Sequence, residues 1–397
     1  MTLRLRALLP ASLVLMGAWS VGSPADTSSC AQWRLWQAYA DRFIQADGRV
    51  VEFTADARTT SEGQAYALLF SLVANDRKRF ERILAWTEDN LVQGRLGDRL
   101  AAWLWGKDAD GRWQVLDANA ASDADLWMAY ALLEAGRLWS EPELTARARA
   151  LMERIKASEV VCLPQLGPML LPGPYGFHTD EKTWRFNPSY LPLQLLRALA
   201  EHDPGGPWQR LAENTVTMIQ ATAPKGLVPD WVAYDAQKGF IPDPIKGSIG
   251  SFDAIRVYLW AGMLDASDAL AGALLEAISG MQQILDEIGM PPMYLDATTG
   301  TTHDAGPVGF SAALLPYLKA GNNWQQLARQ RRRVLANRFS DLIGQPPRYY
   351  DQNLALFGEG ALDGRIRFAS NGQLLLSWVD LCHASSSQHS SSSPSYP

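Results

Sequence analysis

Apolar residues recur at the spacing of an α-helix along most of the chain, and this pattern limits the fold more than any other feature. The first such segment carries its large side chains at Trp33, Trp36, Tyr39 and Phe43. Further segments with the same periodicity cover residues 65–74, 126–138, 191–200, 211–221, 254–264 and 269–288. Side chains at this spacing lie on one face of a helix, so the pattern predicts an all-α protein.

The segments between the predicted helices are rich in proline, glycine and aspartate, which favour turns and loops. They cover residues 163–177, 203–207, 225–250, 289–309 and 344–348. Only two short stretches, 50–54 and 228–234, have the composition of β-strands. Successive helices over residues 31–380 suit either a superhelical repeat array or a toroid with an inner and an outer ring of helices. The sequence has no repeat of fixed period, which favours the toroid.

Both ends of the chain differ in composition from this helical body. Residues 1–25 have the pattern of a secretory signal peptide, with Arg4 and Arg6 before an apolar run and small residues before the expected cleavage site. Residues 383–397 are rich in serine, and we expect them to be disordered. No linker divides residues 26–382, so we expect one domain there. We expect it to be periplasmic or secreted, with no membrane span after signal removal.

Charge and cysteine content argue against several classes of function. The formal net charge is −6, and the one basic cluster, residues 329–333, lies in a predicted helix and suits a solvated helix face. A chain with this charge is not expected to bind nucleic acid or an anionic membrane as its main partner. The three cysteines, at positions 30, 162 and 382, allow one disulfide of undetermined pairing. Five histidines without a Cys/His cluster argue against structural zinc.

Three of the predicted helices begin with an acidic residue. Glu62 follows two hydroxyl residues, of which Thr60 or Ser61 is the expected N-cap. Asp123 follows Ser122 in the same way, and one of these two is the expected cap of its helix. A first-turn acid is common, because the helix dipole and the N-cap both favour it. Helix starts gather at one face of a toroid, however, and hydrolysis of a glycoside needs a protonated acid and an ionised base in one cleft.

The third helix start adds a basic partner. Asp253 and Arg256 are three residues apart, so their side chains share one helix face. The apolar run around them predicts that Arg256 is about half-buried and orients another group. The fifteen tryptophans are a second sign of a sugar site, because an indole face matches the C–H face of a pyranose, although a single Trp more often packs in the core.

The residues around these acids resemble glycoside hydrolase family 8. The segment 121–129, with Leu132, Leu133, Glu134, Ala135 and Trp139 after it, is similar to the family signature. Supporting similarity, to the endoglucanases encoded with bacterial cellulose synthases, lies at residues 47–52, 60–64, 102–106, 186–190, 251–256 and 349–353. These segments follow one another over nearly the whole chain beyond the predicted signal peptide.

The resemblance implies an (α/α)6 barrel that hydrolyses internal β-1,4-glucosidic bonds with inversion and needs neither metal nor cofactor. Glu62 corresponds to the proton donor and Asp253 to the base that activates water. Asp123 has been described in the family as a nucleophile, but an inverting mechanism better suits a sugar-binding role. The other residues expected to bind substrate are Arg256, Tyr190, Tyr350, Trp103, Trp105, Asp125 and Trp184.

These roles make electrostatic demands. Glu62 must hold its proton near neutral pH, so we expect burial or the neighbouring charge of Asp123 to raise its pKa. We expect Arg256 to keep Asp253 ionised and oriented.

Other substrates and classes stay open. Xylan, mixed-linkage glucan and chitosan are alternatives to cellulose as the substrate, because enzymes of the family act on each. A non-catalytic glucan-binding or export protein is an alternative of another class, although it would not need the three acids together. The expected partners are a β-1,4-glucan chain and the machinery of cellulose synthesis and export.

Overall fold

The computed structural model describes residues 33–376, and their regular structure is mostly helical. The predicted signal peptide, the serine-rich tail, Cys30 and Cys382 lie outside the described residues. Cys162 is an exposed free thiol. The α-helices are α1 (Arg34–Phe43), α2 (Ser61–Val73), α3 (Arg77–Thr87), α4 (Ser122–Leu138), α5 (Pro142–Ser158), α6 (Leu193–His202), α7 (Trp208–Thr222), α8 (Ala254–Met263), α9 (Ala271–Ala277), α10 (Gly280–Ile288), α11 (Val308–Ala320), α12 (Trp324–Ala336) and α13 (Tyr349–Leu362).

The helices form two concentric rings, as the (α/α)6 prediction requires. The inner ring consists of α2, α4, α6, α8, α11 and α13, which are buried over most of their length. The outer ring consists of α1, α3, α5, α7, α9 with α10, and α12, most of which bury one face. Helices that are apolar on all sides belong in the interior, whereas amphipathic helices cover it. This difference in sequence therefore assigns most helices to their ring, with the amphipathic α6 of the inner ring as an exception.

Aromatic side chains close the inner ring. Phe357 of α13 lies with its ring centroid 4.6 Å from Phe70 and 5.2 Å from Tyr66, both on α2. The same ring lies 5.2 Å from Trp127 of α4 and 4.9 Å from Trp260 of α8. Each such pair contributes roughly 0.5–1.5 kcal/mol beyond the area that it buries. One phenylalanine therefore ties four inner helices together.

Short strands occupy the connections, and there are more of them than the sequence predicts. They are β1 (Thr59–Thr60), β2 (Leu104–Lys107), β3 (Trp113–Asp117), β4 (Val160–Leu163), β5 (Gly167–Leu170), β6 (His178–Asp180), β7 (Thr183–Phe186), β8 (Val232–Asp235), β9 (Gly239–Pro242), β10 (Ile249–Gly250), β11 (Pro292–Asp296), β12 (Thr302–Ala305), β13 (Arg338–Phe339), β14 (Leu342–Ile343), β15 (Arg367–Phe368) and β16 (Leu374–Leu375). All pairs are antiparallel, in the sheets β1-β2-β3, β4-β5, β6-β7-β8-β9, β10-β11-β12, β13-β14 and β15-β16.

Two predictions of secondary structure are wrong in detail. Residues 50–54 form no strand, because Val50 and Glu52 make only isolated bridges, to Ile44 and Arg58, while the 228–234 prediction overlaps β8. Residues 269–288 form two helices rather than one. The break lies before Gly280, whose amide donates to the carbonyl of Gly226, and a Cβ on Gly280 would lie 2.1 Å from the carbonyl oxygen of Lys225. The chain passes too close there for a continuous amphipathic helix.

Most sheets lie at the end of the toroid where the inner helices begin. β1 leads directly into α2, and β10 ends three residues before α8. Three residues of the basic cluster, Arg329, Arg331 and Arg332, are exposed on α12, as predicted. In the described part of the chain no helix is both long enough and apolar enough to cross a membrane.

Candidate active site

The three predicted acids lie together at the starts of inner helices. Glu62 is in the first turn of α2, Asp123 in the first turn of α4, and Asp253 directly precedes α8. Because the inner helices run in the same direction, their starts meet at one face, where a cleft of about 620 Å³ opens. Its lining includes Glu62, Tyr66, Trp103, Asp253, Arg256 and Tyr350.

Arg256 connects two of these acids. Its Nη1 donates to Oδ2 of Asp123 at 2.9 Å and to the hydroxyl of Tyr66 at 2.8 Å. Its Nη2 donates to Oδ1 of Asp253 at 2.8 Å. Arg256 is only 6% exposed, so it is buried more deeply than the half-buried position predicted from the sequence. One guanidinium thus fixes two carboxylates from two helices, which lysine could not do with the same geometry.

Glu62 is held in a state that favours its proton. Thr60 caps α2, because its Oγ1 accepts from the amide of Gly63 at 3.3 Å, as predicted. Burial raises the pKa of Glu62 to about 7, and the negative charge of Asp123 adds to this, while Arg256 opposes it. The expected causes, burial and Asp123, are therefore the ones that operate. Near neutral pH a substantial share of Glu62 carries a proton.

Asp123 lies beneath the cleft surface. It is 1% exposed, and burial raises its pKa to about 6 against the opposing charge of Arg256. The predicted cap of α4 is wrong. The N-cap position is Ala121, and the hydroxyl of Ser122 has no partner among the described residues. The carboxylate of Asp123 is oriented by Arg256 and by the amide of Ala124, at 2.9 Å, instead of capping the helix.

Asp253 occupies the N-cap position of α8 without capping it. Its side chain turns to Arg256, and another acid binds the backbone of this turn. Oδ1 of Asp230 accepts from the amides of Ser251 and Ala254, each at 2.7 Å. Burial, followed by the charge of Asp253, raises the pKa of Asp230 to about 6. Asp230 could not be predicted from the sequence, because a lone aspartate in a long predicted loop gives no local signal.

The predicted substrate-binding aromatics divide into two groups. Trp103 and Tyr350 line the cleft, and the ring of Tyr190 lies 5.6 Å from the guanidinium carbon of Arg256. Trp105 lies to the side, stacked on Trp113 with ring centroids 4.9 Å apart. Trp184 is also occupied, because His178 stacks on it at 4.7 Å.

Asp125 does not take the predicted substrate-binding position. It is 0% exposed, and its carboxyl group faces that of Glu159, which is also 0% exposed. Burial raises the pKa of both groups well above the usual range. The charge of Asp123 adds to this for Asp125, although the amide of Ala101 and the hydrogen bond with Glu159 oppose it. For Glu159 the charge of Asp125 and the hydrogen bond with it both add to the effect of burial. Asp125 thus lies behind the cleft wall, where no sugar reaches it.

Tyr66, Tyr349 and Asn353 also line the cleft, although no site role was expected of them. Tyr66 lies within the helical segment of Glu62, one turn further along α2, so its direction was open to prediction from helical spacing. Tyr349 and Asn353 stand on either side of the expected Tyr350 along α13, and their directions depend on how that helix packs.

A helical toroid that brings a protonatable glutamate and an arginine-bound aspartate pair into one cleft has the parts of a glycoside hydrolase. Residues 11–364 match the family model of Glycosyl hydrolases family 8. The chain therefore belongs to this family and is a glycoside hydrolase.

Relatives and solved structures agree with this assignment. The chain is 49% identical over 373 residues to the Endoglucanase of Xanthomonas axonopodis pv. citri (strain 306), covering 94% of each chain. It is 44% identical over 373 residues to the Endoglucanase of Escherichia coli (strain K12), covering 94% of this chain and 96% of that one. The crystal structure of an endo-1,4-D-glucanase from Vibrio fischeri ES114 is similar with a TM-score of 0.80 at 37% identity, over 88% of this chain and 100% of that chain.

Proposed function

We propose that this glycoside hydrolase is an endo-β-1,4-glucanase that cleaves internal bonds of cellulose or carboxymethylcellulose with inversion. The observation that carries the proposal is the pairing of a half-buried Glu62, with a pKa of about 7, and an Asp123–Arg256–Asp253 ion-pair network in the same cleft. Relatives named Endoglucanase, at 44–49% identity over 94% of the chain, support the choice of glucan.

In this proposal Glu62 acts as the general acid. Below pH 7 its carboxyl group carries the proton that the glycosidic oxygen needs as the bond to the anomeric carbon breaks. The half-buried position suits this step, because a carboxyl group in water would lose its proton near pH 4.3.

Asp253 acts as the general base. It takes a proton from a water molecule whose oxygen attacks the anomeric carbon from the face opposite the leaving group, so the configuration inverts. Arg256 donates to Oδ1 of Asp253, which orients the carboxylate and leaves Oδ2 for the water. Asp253 keeps a 30% exposed side chain, as a group that meets water and substrate must.

Asp123 has a different proposed role. Its 1% exposed carboxylate is committed to Arg256, and its pKa of about 6 keeps it mostly ionised at neutral pH. We assign it to holding Arg256 and the sugar at the cleavage point rather than to nucleophilic attack. Trp103, Tyr190 and Tyr350 are assigned to contacts with the sugar rings, since aromatic faces and hydroxyls suit pyranoses.

The first test compares the mature protein with its Glu62→Gln variant on carboxymethylcellulose, following viscosity and reducing-end release together. We expect a fast fall in viscosity for the wild type and a loss of at least roughly 100-fold in the variant, because general acid catalysis contributes 10²–10⁴-fold. Glu81→Gln, on the exposed face of α3, serves as the matched control and should keep full activity. Equal activity of Glu62→Gln and the wild type would refute the assignment.

Substrate choice is tested on a panel of carboxymethylcellulose, xylan, mixed-linkage glucan and chitosan. We expect the highest kcat/KM on a β-1,4-glucan. A preference for xylan or chitosan would keep the proposed acid and base but replace the substrate. Binding of glucan with no hydrolysis of any polymer would favour a glucan-binding protein instead.

We also propose that residues 26–382 form one catalytic domain, exported by the signal peptide to the periplasm or beyond, which trims glucan during bacterial cellulose synthesis and export. Support comes from the signal-like residues 1–25 and from the resemblance to endoglucanases encoded with cellulose synthases. Deletion of the gene should change the yield or fibre architecture of cellulose. Unchanged cellulose in the deletion strain would contradict this role.

A further inference from the structure

One oxygen of Asp230 closes the turn that carries Asp253. Oδ1 of Asp230 accepts from the amides of Ser251 and Ala254 at 2.7 Å each. These two amides flank Phe252 and Asp253, so hydrogen bonds to one carboxylate fix the backbone on both sides of the proposed base. Hydrogen bonds to an ionised carboxylate are shorter and stronger than those to a neutral oxygen.

The side chain of Asp253 does not itself stabilise this helix start. A helix start leaves backbone N–H groups without partners, and an N-cap aspartate normally accepts from one of them. The side chain of Asp253 instead binds Nη2 of Arg256. The amides of Ile255 and Arg256 donate to the carbonyls of Ser251 and Asp253, and Asp230 accepts from the first amide of the helix, that of Ala254. The first three amides of α8 therefore have partners although the side chain of Asp253 caps none of them and faces the cleft.

Further hydrogen bonds hold Asp230 and its turn in place. The amide of Asp230 donates to the carbonyl of Ile249 at 2.8 Å, and the hydroxyl of Ser251 donates to the carbonyl of Met293 at 2.7 Å. Ile249 lies in β10 and Met293 in β11, which pair with each other. The charged groups that face Asp230 are Asp253 and Arg256. The turn is thus fixed to a sheet on one side and to the start of α8 on the other.

We propose that Asp230 is a positioning residue for the general base. It binds the first amide of α8 and fixes the 251–254 turn, so that the Asp253 carboxylate points at the attacking water. This rests on the proposed function, because it assumes that Asp253 activates water. Asp230 acts through the backbone and touches neither water nor sugar in the reaction.

The test uses Asp230→Ala, Asp230→Asn and Asp230→Glu in the full mature chain. The Ala variant removes the acceptor, and we expect kcat to fall by roughly 100-fold with KM within about twofold, because a 1 Å displacement of a catalytic group has an effect of that size. The Asn variant keeps a side-chain oxygen acceptor at the same place, so kcat should return to within about fivefold of wild type. The Glu variant keeps the charge but displaces the oxygen, so its kcat should stay low.

The matched control is Asp235→Ala. Asp235 also accepts from two amides, those of Gln237 and Lys238 at 2.9 Å each, but in the β8–β9 turn. The Asp235→Ala variant should lose a comparable pair of hydrogen bonds and keep the wild-type kcat. Hydrogen exchange of the 251–254 amides should speed up in Asp230→Ala and not in Asp235→Ala.

Three results would overturn the proposal. The first is a wild-type kcat in Asp230→Ala, and the second is an Asn variant as impaired as the Ala variant. The third is a Glu variant more active than the Asn variant, which would mean that the charge matters and not the placement of the oxygen. Absence of glucan hydrolysis by the wild type is a separate outcome, which removes the proposed function and the role of Asp230 with it.

Discussion

Replacing Arg256 by methionine removes the cation shared by Asp123 and Asp253. Asp123 has a 1% exposed side chain, so it would be left as an unpaired buried carboxylate, and removal of one partner of a buried pair typically destabilises a protein by about 3–5 kcal/mol. Asp253 is 30% exposed, and its share is smaller, roughly 1 kcal/mol or less. We therefore expect a fall of about 3–5 kcal/mol in the free energy of unfolding at pH 8.

The deficit should depend on pH. The pKa of Asp123 is raised to about 6 in the folded protein, above roughly 3.9 in an unfolded chain, so ionisation of this group opposes folding as the pH rises between these values. Arg256 lowers the folded pKa, and its removal raises it further. Stability of the variant must then fall more steeply as the pH rises through 6. At pH 5 Asp123 is mostly protonated in both proteins, so the deficit shrinks.

Urea unfolding at pH 5 and pH 8 measures both deficits. Arg197→Met is the matched control, because Arg197 binds Asp268 at 2.7 Å with 11% and 1% exposed side chains, away from the cleft. Burial works against ionisation of Asp268, but the hydrogen bond from Arg197 holds its pKa below the usual value, so this pair stays ionised at both pH values. Loss of Arg197 leaves burial to raise the pKa of Asp268, so the deficit of this variant should also be larger at pH 8 than at pH 5, whereas its glucan hydrolysis should be unchanged. An Arg256→Met deficit below about 1 kcal/mol, or one equal at both pH values, would refute the reasoning.

Three further predictions follow from the same groups. Because Glu62 must be protonated to act and its pKa is about 7, kcat/KM on a cello-oligosaccharide should fall about tenfold per unit above pH 7, and a flat profile from pH 6 to 9 would contradict its role as acid. Glu159→Gln removes one of two facing buried carboxyl groups, whose raised pKa values make the wild type less stable as the pH rises. The melting temperature of the variant should therefore rise relative to that of the wild type as the pH goes from 6 to 9. A difference in melting temperature that is the same at pH 6 and pH 9 would count against the pair. Trp103→Ala should raise KM roughly 2- to 10-fold, because it removes an aromatic ring from the cleft. Trp105→Ala removes a ring that stacks on Trp113, so it should lower the melting temperature and leave KM nearly unchanged.

The ring architecture was predictable because it is encoded in periodicity. Helices α2, α4 and α8 are apolar on almost every face, and the sequence shows this without any knowledge of partners. The break before Gly280 was not predictable, because it depends on the close approach of Gly226 from a distant loop. Strands of two to five residues also carry too few positions for an alternating pattern to stand out.

The site divides in the same way. The cap at Thr60 was predictable because donor and acceptor are three residues apart. The caps of α4 and α8 were not predictable, because the side chains of Asp123 and Asp253 bind Arg256 instead of capping their helices. Arg256 is 133 positions from Asp123 in the chain. The burial of Asp125 against Glu159 similarly depends on how α4 and α5 pack. Local signals located the acids, and tertiary competition decided what each acid contacts.

In the proposed mechanism Glu62 and Asp253 act as acid and base on a β-1,4-glucan, with water as the nucleophile. Proton NMR of the first reducing ends released from a cello-oligosaccharide, recorded before mutarotation, tests this most directly. We expect the α-anomer to form first, because a single attack by water inverts a β-bond. Initial release of the β-anomer would contradict it and would restore Asp123 as a candidate nucleophile.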